Sequence, residues 1–471
     1  MKNILPVLLF IFALTLSAQE SDPVTVVGDS LIGKRIGGES VREVIGNVVI
    51  TQGNVIITSR RALQNLSRNE IELIGDVVVT QDSITLETER GFYFGNRKVA
   101  VSDTNLTLND GSIILTAKGG RYFVDEEKAL FADSVELNDT STTLQADTLK
   151  YYHSADKAVS YGNVKIADTS GYSIYADSLI HFKEKDRSFA YKNIYLKDDE
   201  NDLVITGNYL EDIGEENYSK ITGDALLVQV DSIDSETTDT LIISSQLMES
   251  FNDSSRKLIA ADSVKIVRGE FASKNSKSIF YRDEERILTL KEEGSKKQPV
   301  LWFESSQLVG DTVNIYLEGN TLNKIDIMHN AFILTKIENF NFRFDQISGE
   351  HIKMFFEKNK LQKTSVDGNV LSIYYLFEDE AANGLIQSSA NNAKIIFTDN
   401  EIHDVKLYGQ PISEYHPENL IENKEKEFTL PSFILFEGRP EKENLLFEKR
   451  EKIFTLLSHK NMKDADETKR K

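Results

Sequence analysis

The fold is decided by the stretch Leu144-Gln145-Ala146-Asp147-Thr148-Leu149-Lys150-Tyr151-Tyr152 and by the two segments after it. A polar segment, His153-Ser154-Ala155-Asp156-Lys157, separates it from Ala158-Val159-Ser160-Tyr161-Gly162-Asn163-Val164-Lys165-Ile166. Both outer runs alternate polar and apolar residues and are rich in β-branched and aromatic side chains. Two such runs joined by a short polar segment indicate a β-hairpin.

The same pattern recurs about thirty residues later. Ile174-Tyr175-Ala176-Asp177-Ser178-Leu179-Ile180-His181-Phe182 is followed by the charged segment 183–187, and then by Ser188-Phe189-Ala190-Tyr191-Lys192-Asn193-Ile194-Tyr195-Leu196. A fixed period of this length indicates stacked supersecondary units rather than the core of a compact enzyme.

A Gly-Asn or Gly-Asp step marks each unit. It is found as Gly46-Asn47-Val48, Gly53-Asn54-Val55 and Gly75-Asp76-Val77, and related steps occur at 132–135, 162–164, 192–194, 223–225 and 261–264. We expect these residues to supply the turn that enters each strand. The Ala-Asp step, as in Ala146-Asp147, could instead carry a bulge that exchanges the two faces of the strand.

The units continue after residue 300 in a changed form. Three hairpins are predicted there around an asparagine, at 314–322, 353–361 and 394–402. Asparagine tolerates the left-handed backbone conformation that tight hairpin turns require.

Composition excludes several classes of function. The chain of 471 residues carries 75 Asp and Glu against 54 Lys and Arg, a net charge of −21, which argues against nucleic-acid binding. It contains no cysteine, so disulfides, thiol catalysis and thiolate metal sites are excluded.

The sequence predicts five segments. Residues 1–18 resemble a signal peptide, because Lys2 precedes an apolar run that ends at Ser17-Ala18, and this implies export from the cytoplasm. The other segments are a flexible arm at 19–42, repeats at 43–290, further repeats at 300–417, and a helix with a charged tail at 436–471. The charged break at 291–299 leaves open two lobes or one continuous sheet. The helix is expected over 441–460, covering the open end of a sheet, with a disordered end after it.

The recurring Ala-Asp-Ser-Leu-x-x-(Phe/Tyr) pattern, followed by a charged turn and Gly-Asn-Val at 146–152, 162–164 and 176–182, resembles the OstA-like proteins of Bacteroidota. These are related to the lipopolysaccharide transport protein LptA, to the periplasmic N-terminal domain of LptD and to the organic solvent tolerance family. Later segments at 310–316, 368–370 and 407–411 are also similar to that family. The resemblance covers about residues 43–417.

The resemblance implies an all-β fold, an elongated antiparallel β-jellyroll of hairpin repeats of about thirty residues, whose dry interior holds lipid A acyl chains. It implies a non-enzymatic periplasmic carrier in lipopolysaccharide transport and outer membrane assembly, without a cofactor or metal. Expected partners are lipopolysaccharide and other Lpt-type proteins or a second copy of the chain, bound through edge strands. Outer membrane association would come through those partners, and no nucleic acid is expected. Because the chain is acidic, we expect contact through the acyl chains, with headgroups outside, bridged if at all by divalent ions.

The candidate lipid-binding positions are the apolar residues that follow the glycine steps on one face. They are Val48, Ile50, Val55, Ile57, Val77, Val79, Val164, Ile166, Ile194 and Leu196. Alternating aliphatic residues in a sheet are also typical of ordinary core. The pattern alone leaves both interpretations open.

Other motifs favour structural roles. Gly28-Asp29-Ser30-Leu31-Ile32-Gly33-Lys34-Arg35 imitates a phosphate-binding loop, but Arg35 stands where the loop needs Ser or Thr, and Gly37-Gly38 replaces the helix that should follow. The ladder Asp133, Asp147, Asn163, Asp177, Asn193 and Asp224 has a period too long for calcium-binding β-helices and favours turn side chains.

No catalytic signature stands out. The histidines are His153, His181, His329, His351, His403, His416 and His459, without metal-ligand spacing, so we expect them at the surface. There is no G-x-S-x-G motif. Two alternatives to a lipid carrier remain, a secreted structural or adhesive β-solenoid without a ligand groove, and a polysaccharide-processing β-array with two opposed carboxylates.

Overall fold

The computed structural model describes residues 23–447 apart from 233–237, 292–293, 295–296, 319–320, 380 and 399–400, together with 449, 451–455 and 457. The predicted signal peptide and the predicted disordered end after 460 lie outside these residues. The chain divides into two compact units between Thr140 and Ser141. Each unit is an antiparallel array of strands.

Unit 1 contains eleven strands among its described residues. They are β1 Thr25–Val27, β2 Ser30–Ile36, β3 Glu39–Gln52, β4 Val55–Asn65, β5 Glu70–Gln81, β6 Ile84–Phe94, β7 Val99–Ser102, β8 Leu106–Asn109, β9 Ile114–Ala117, β10 Gly119–Phe123 and β11 Lys128–Asn138.

Unit 2 contains nineteen strands and two short helices with continuous bounds among its described residues. The first strands are β12 Thr142–Tyr152, β13 Lys157–Asp168, β14 Tyr172–Phe182, β15 Arg187–Asp198, β16 Leu203–Ile213, β17 Tyr218–Ser232, β18 Thr238–Phe251, β19 Lys257–Arg268, β20 Phe271–Tyr281 and β21 Arg286–Leu290. The others are β22 Val300–Phe303, β23 Ser306–Val309, β24 Thr312–Glu318, β25 Thr321–Lys336, β26 Phe344–Glu357, β27 Lys360–Glu378, β28 Ala381–Thr398, β29 Glu401–Tyr408 and β30 Ile412–His416, with helices α1 Glu418–Ile421 and α2 Lys442–Leu446.

The predicted hairpins are confirmed. Strands β12 and β13 pair antiparallel on either side of a 3-10 turn at His153–Ala155, and β14 pairs with β15 in the same way. From β12 to β20 each strand pairs antiparallel with the next one in sequence. The all-β, antiparallel fold predicted from the repeats is therefore the observed one.

The prediction that these steps form the turn entering each strand is confirmed for Gly53-Asn54, between β3 and β4. It is wrong for steps such as Gly162-Asn163, which lie in the middle of strands. In β13, Tyr161 pairs with Ser178 and Val164 with Ala176, which leaves Gly162 and Asn163 opposite a single residue of β14. Both take positive φ, 72° for the glycine and 45° for the asparagine. Two left-handed residues opposite one form a β-bulge, which bends the strand at that point.

The Asp/Asn ladder joins neighbouring strands at these bulges. Asn163 Nδ2 donates to Asp147 Oδ2 at 2.9 Å, and Asn193 Nδ2 donates to Asp177 Oδ2 at 3.0 Å. Asp224 accepts from Gln246 at 2.9 Å in the same way. These side chains were expected to bond their own backbone in turns. They instead bond side chains of the adjacent strand, because both partners stand beside the same bend.

The bulges divide unit 2 into two walls. Wall A consists of strand halves such as 203–206 and 226–229, which pair with each other, and wall B of halves such as 209–213 and 218–222. Each long strand passes from one wall to the other at its bulge. The Ala-Asp steps at 146–147 and 176–177 lie at the same bends.

The charged break at 291–299 interrupts one strand but not the ladder. Strand β20 pairs with β22 through Phe271–Lys274 in wall A and with β21 through Lys277–Tyr281 in wall B. The array therefore continues past the break, and the division into units falls near residue 140. Of the two arrangements left open by the sequence, the strand pairs fit the continuous sheet.

Most of the predicted flexible arm that the structure describes is strand. Strands β1 and β2 both pair with β3, with Val26 opposite Ile50 and Leu31 opposite Val44. The loop-like Gly28-Asp29 step connects them, and Asp29 accepts a hydrogen bond from Asn47 Nδ2 at 2.9 Å. The stretch that resembles a phosphate-binding loop is therefore a connection between two strands of the sheet in unit 1.

Residues 417–457, here called the strap, run back along the outer face of wall A. Strap residues Leu446 and Ile453 pack against Val204, Val228 and Ile242. The predicted short C-terminal helix is confirmed as helical segments within 441–460, because helical residues occur at 442–446, 451–455 and 457, with turns at 447 and 449. The predicted cover for the open end of a sheet instead covers a sheet face.

Two glutamines fasten the strap by hydrogen bonds to its backbone. Gln346 Nε2 donates to Phe428 O at 3.1 Å, and its Oε1 accepts from Leu430 N at 2.9 Å. Gln307 makes the same pair of bonds with Ile434 O and Phe436 N, each 2.8 Å long. Each amide satisfies one donor and one acceptor of the strap, groups that would be costly to bury unpaired.

One carboxyl group of wall A is buried close to the strap-covered core. Asp345 Oδ1 accepts a hydrogen bond from Tyr375 N at 2.9 Å. Burial raises the pKa of Asp345 from 3.8 to about 7, against the opposing effect of that hydrogen bond. The folded protein therefore binds a proton here more tightly than the unfolded chain does.

Replacing Gly162 by alanine tests the bulge. We expect Gly162→Ala to lower the free energy of unfolding by about 1–2 kcal/mol, because alanine is strained at positive φ and its Cβ would meet the Asp147 carboxylate. Urea denaturation followed by circular dichroism measures the change. The control is Gly33→Ala, since an added Cβ has no neighbour within 4 Å and the φ is not positive. Equal free energies of unfolding for the two variants would contradict a bulge at Gly162.

The Asp345 carboxyl predicts a pH dependence of stability. Its contribution to the free energy of unfolding is fully present below 3.8, the pKa in the unfolded chain. That contribution is lost as the pH rises towards about 7, the pKa in the folded protein. We therefore expect the urea midpoint to fall over that range by more in the native sequence than in Asp345→Asn, measured from pH 4 to pH 8. Identical pH profiles for the two proteins would contradict the buried protonated carboxyl.

Candidate functional site

A cavity of about 660 Å³ lies between the two walls of unit 2. Its volume is within the range of about 300–1,000 Å³ typical of small-molecule sites. Most of its lining side chains are aliphatic or aromatic and come from both walls. Wall A contributes Leu203, Leu227, Leu241, Ile243 and Ile266, and wall B contributes Leu258, Phe280, Ile287, Ile315 and Leu317.

Wall A can line this cavity because its strands are apolar on both faces. In β16, Leu203 points into the cavity, while the next residue, Val204, is buried beneath the strap. In β18, Leu241 and Ile243 line the cavity and Ile242 between them meets the strap. A continuous apolar run is typical of a strand covered on both sides. The strap therefore shields the back of the wall whose front forms the cavity.

The opening of the cavity is charged. Arg256 and Arg282 come from wall B, at its β18–β19 and β20–β21 turns, whereas Glu270 and Glu304 come from the turns of wall A. Arg256 Nη1 is 3.3 Å from Asp283 Oδ1 in an exposed ion pair. Apolar side chains from both walls and charged turns at their ends give the site an apolar interior and a polar rim.

Two further arginines fix the walls next to the cavity. Arg268 forms a half-buried pair of salt bridges, 2.9 Å to Asp231 and 2.5 Å to Asp239. Arg286 pairs with Glu284 at 2.8 Å and lies over the ring of Tyr281, 4.1 Å from its centroid. The charges of both guanidinium groups are therefore already matched within the protein.

The ten candidate residues from the sequence occupy the inside of the array but not this cavity. Nine are buried, and Ile166 is half-buried. Val77 and Val79 line another cavity, in unit 1, whose volume of about 10 Å³ is the size of one water molecule. A role of these residues in ligand contact stays a prediction.

Hydrogen-bonded tyrosine and glutamine side chains also occupy part of the interior of unit 1. Tyr93 Oη donates to Gln52 Oε1 at 2.6 Å, and Tyr122 Oη donates to Gln81 Oε1 at 2.9 Å. Burial raises the pKa of each tyrosine to about 12, so both hydroxyls keep their protons. These groups occupy space that an acyl chain would need.

The cavity residues of unit 2 were missed by the sequence analysis. One signal for them exists, since Val264-Lys265-Ile266 repeats Val164-Lys165-Ile166, and Ile266 lines the cavity. The other signal is the pair of unbroken apolar runs 225–228 and 241–243, which identify the strands covered on both sides.

The histidines occupy varied environments. His351 Nε2 contacts Asp326 in a half-buried pair, and His181 Nδ1 lies 3.0 Å from Ser188 Oγ. His403 is largely exposed, as expected for a surface histidine. Within the described ranges, no three His, Asp or Glu side chains lie close enough together to hold a metal ion. In the same part of the chain, no helix is long and apolar enough to span a membrane.

Comparisons with known proteins identify part of the chain. Residues 28–177 match the family model described as OstA-like protein. A similar solved structure is LptH, "the LptA homologous periplasmic component of the conserved lipopolysaccharide transport device from Pseudomonas aeruginosa", with 16% identity over 28% of this chain and 76% of that chain. Its TM-score of 0.16 is too low for the two chains to share an overall superposition. No curated protein matches the sequence.

The family match confirms the predicted OstA-like resemblance in the first part of the chain. It begins at residue 28, before the predicted start at 43, and ends at 177. The similarity of the later repeats, up to residue 417, and the bacterial group stay predictions. The cavity of unit 2 lies beyond the matched residues.

Proposed function

Because residues 28–177 form an OstA-like segment, we propose that this protein is a non-enzymatic periplasmic carrier that holds lipopolysaccharide acyl chains during transport and outer membrane assembly. The observation that carries the proposal is the cavity of about 660 Å³, lined by aliphatic and aromatic residues of two facing walls. The signal-like sequence at 1–18 supports export from the cytoplasm.

The energetics suit reversible binding of acyl chains. Each buried methylene contributes about 0.8 kcal/mol, so about ten methylenes in the cavity would contribute roughly 8 kcal/mol before the costs of association. Those costs amount to several kcal/mol. A carrier that must release its lipid benefits from such a moderate net affinity.

Free strand edges support association with other chains. At the end of the ladder, β29 and β30 pair only with β28 among the described strands, which leaves one edge of each open. Ile412 and Tyr415 on β30 expose more than half of their side-chain surface. We infer that an Lpt-type protein or a second copy adds a strand here, through which the carrier reaches the outer membrane.

One observation favours the alternative, a secreted structural or adhesive β-solenoid without a ligand groove. The cavity of unit 1 holds only one water-sized volume. A solenoid would have this closed interior along its whole length. The much larger cavity of unit 2 is what supports the carrier instead.

Photo-crosslinking tests the carrier. A benzophenone amino acid replaces Leu241, which lines the cavity, or Tyr161, which is exposed on a strand that does not line it. After irradiation in cells, we expect a lipid adduct from position 241 only, because acyl chains lie between the walls. Mass spectrometry of the purified protein detects it.

Absence of an adduct from position 241, in a variant whose circular dichroism matches the native protein, would favour the solenoid. Equal labelling at 161 and 241 would indicate nonspecific contact with membranes. Position 194, among the candidate residues from the sequence, provides a third site that tests the trough predicted in the earlier repeats.

A further inference from the structure

Two arginines stand side by side at the mouth of the unit 2 cavity. Arg282 N donates to Arg256 O at 3.1 Å, so the two turns that carry them are joined through their backbones. Both side chains line the cavity where wall B ends. Each guanidinium carries a fixed positive charge and five N–H donors.

Arg282 has no matched carboxylate. Among the residues that the structure describes, it forms no salt bridge within 4 Å, whereas Arg256 and Arg286 each form one and Arg268 forms two. Surrounding protein and the adjacent Arg256 lower the pKa of Arg282, and more distant attraction from Asp198 and Asp283 opposes this. Its donors are therefore available to an external group.

The whole chain, by contrast, has a net charge of −21. Asp283 offsets the charge of Arg256, so Arg282 is the cation of this pair that has no carboxylate within 4 Å among the described residues. The turn of wall B that carries Arg282 also holds Asp283, which pairs with Arg256, and Glu284, which pairs with Arg286. On the opposite rim, Glu270 is 3.7 Å from Arg439 of the strap. An anion entering the mouth would therefore bind at Arg282 rather than at the arginines that are already matched.

We propose that Arg282, assisted by Arg256, binds the anionic headgroup, a phosphate or carboxylate, of an amphiphile whose tails fill the cavity. Guanidinium groups match the geometry of both anions and bind them with charge-assisted hydrogen bonds. The inference rests on the proposed function for the tails. It replaces the expectation that headgroups stay outside and that acidity prevents their direct contact with the protein.

The apolar side chains next to the mouth favour a single ligand that has both an anionic headgroup and apolar tails. Phe280 and Ile287 lie within a few residues of Arg282 and line the same cavity. A headgroup on Arg282 would therefore leave its tails directed between the walls.

The experiment compares two short-chain lipids that differ only in the headgroup. Dioctanoyl phosphatidic acid carries a phosphate, and dioctanoylglycerol is neutral. Binding to the full chain is measured by isothermal titration calorimetry for the native protein, Arg282→Gln and Arg121→Gln. Arg121 provides a matched control, because it is exposed on β10 in unit 1, away from the cavity.

We expect the native protein to bind the phosphatidic acid about tenfold more tightly than the neutral lipid, and Arg282→Gln to abolish this difference. Affinity for the neutral lipid should be unchanged in both variants, and Arg121→Gln should bind both lipids normally. Higher salt should reduce the affinity for phosphatidic acid alone.

Other outcomes would overturn the inference in distinguishable ways. Equal affinity for both lipids, unaffected by Arg282→Gln, would remove the headgroup site but leave the carrier intact. Inorganic phosphate binding as tightly as phosphatidic acid would indicate an anion site without a lipid. Failure of both lipids to bind would contradict the proposed function as well.

Discussion

The structure depends on a bend that recurs in the middle of its long strands. Two consecutive residues take the left-handed conformation where the opposite strand supplies one, as Gly162 and Asn163 do in β13. Glycine, asparagine and aspartate tolerate this conformation best, which explains their frequency at each period, although Lys192 and Asn193 form the same pair in β15. The Asn163–Asp147 hydrogen bond then links the bent strand to its neighbour. Because the bends are in register, they fold each sheet along one line, and in unit 2 they create the two walls.

The bend explains why one acidic chain can carry so much apolar surface. In unit 2 the inner faces of both walls are apolar and enclose the cavity. The outer face of wall A is apolar as well, and the strap covers it, held by Gln307 and Gln346. The strap thus allows wall A to be thin and apolar on both sides. In unit 1, by contrast, tyrosine and glutamine side chains fill the inside.

Much of the fold could be predicted from the sequence, because hairpin signals are local. Alternation and the charged turns near 153–157 and 183–187 gave the correct strands and their antiparallel order. The sequence predicts a turn at most Gly-Asn steps where the structure has a bulge, because the same two residues are typical of both. Only the residue opposite, Asp177 for this step, distinguishes the two, and it is not adjacent in sequence. The short C-terminal helix was predictable from its local pattern, but its position on wall A was not, because contacts of the strap, such as Leu430 with Gln346, span more than eighty residues.

The candidate site was harder to predict than the fold. Inward aliphatic residues recur in every repeat, and nothing local separates those packed against the opposite wall from those that line open space. Ile166 and Ile266 occupy equivalent positions in two repeats, yet of the two only Ile266 lines the cavity.

The most direct test of the central claim, that the folded ladder encloses space for acyl chains, is mass spectrometry of lipid extracted from the protein after gentle purification from the cell envelope. The account predicts an acylated, anionic lipid in amounts comparable to the protein, and less of it in Leu241→Trp, whose larger side chain would occupy part of the cavity. A correctly folded native protein that carries no lipid would contradict it.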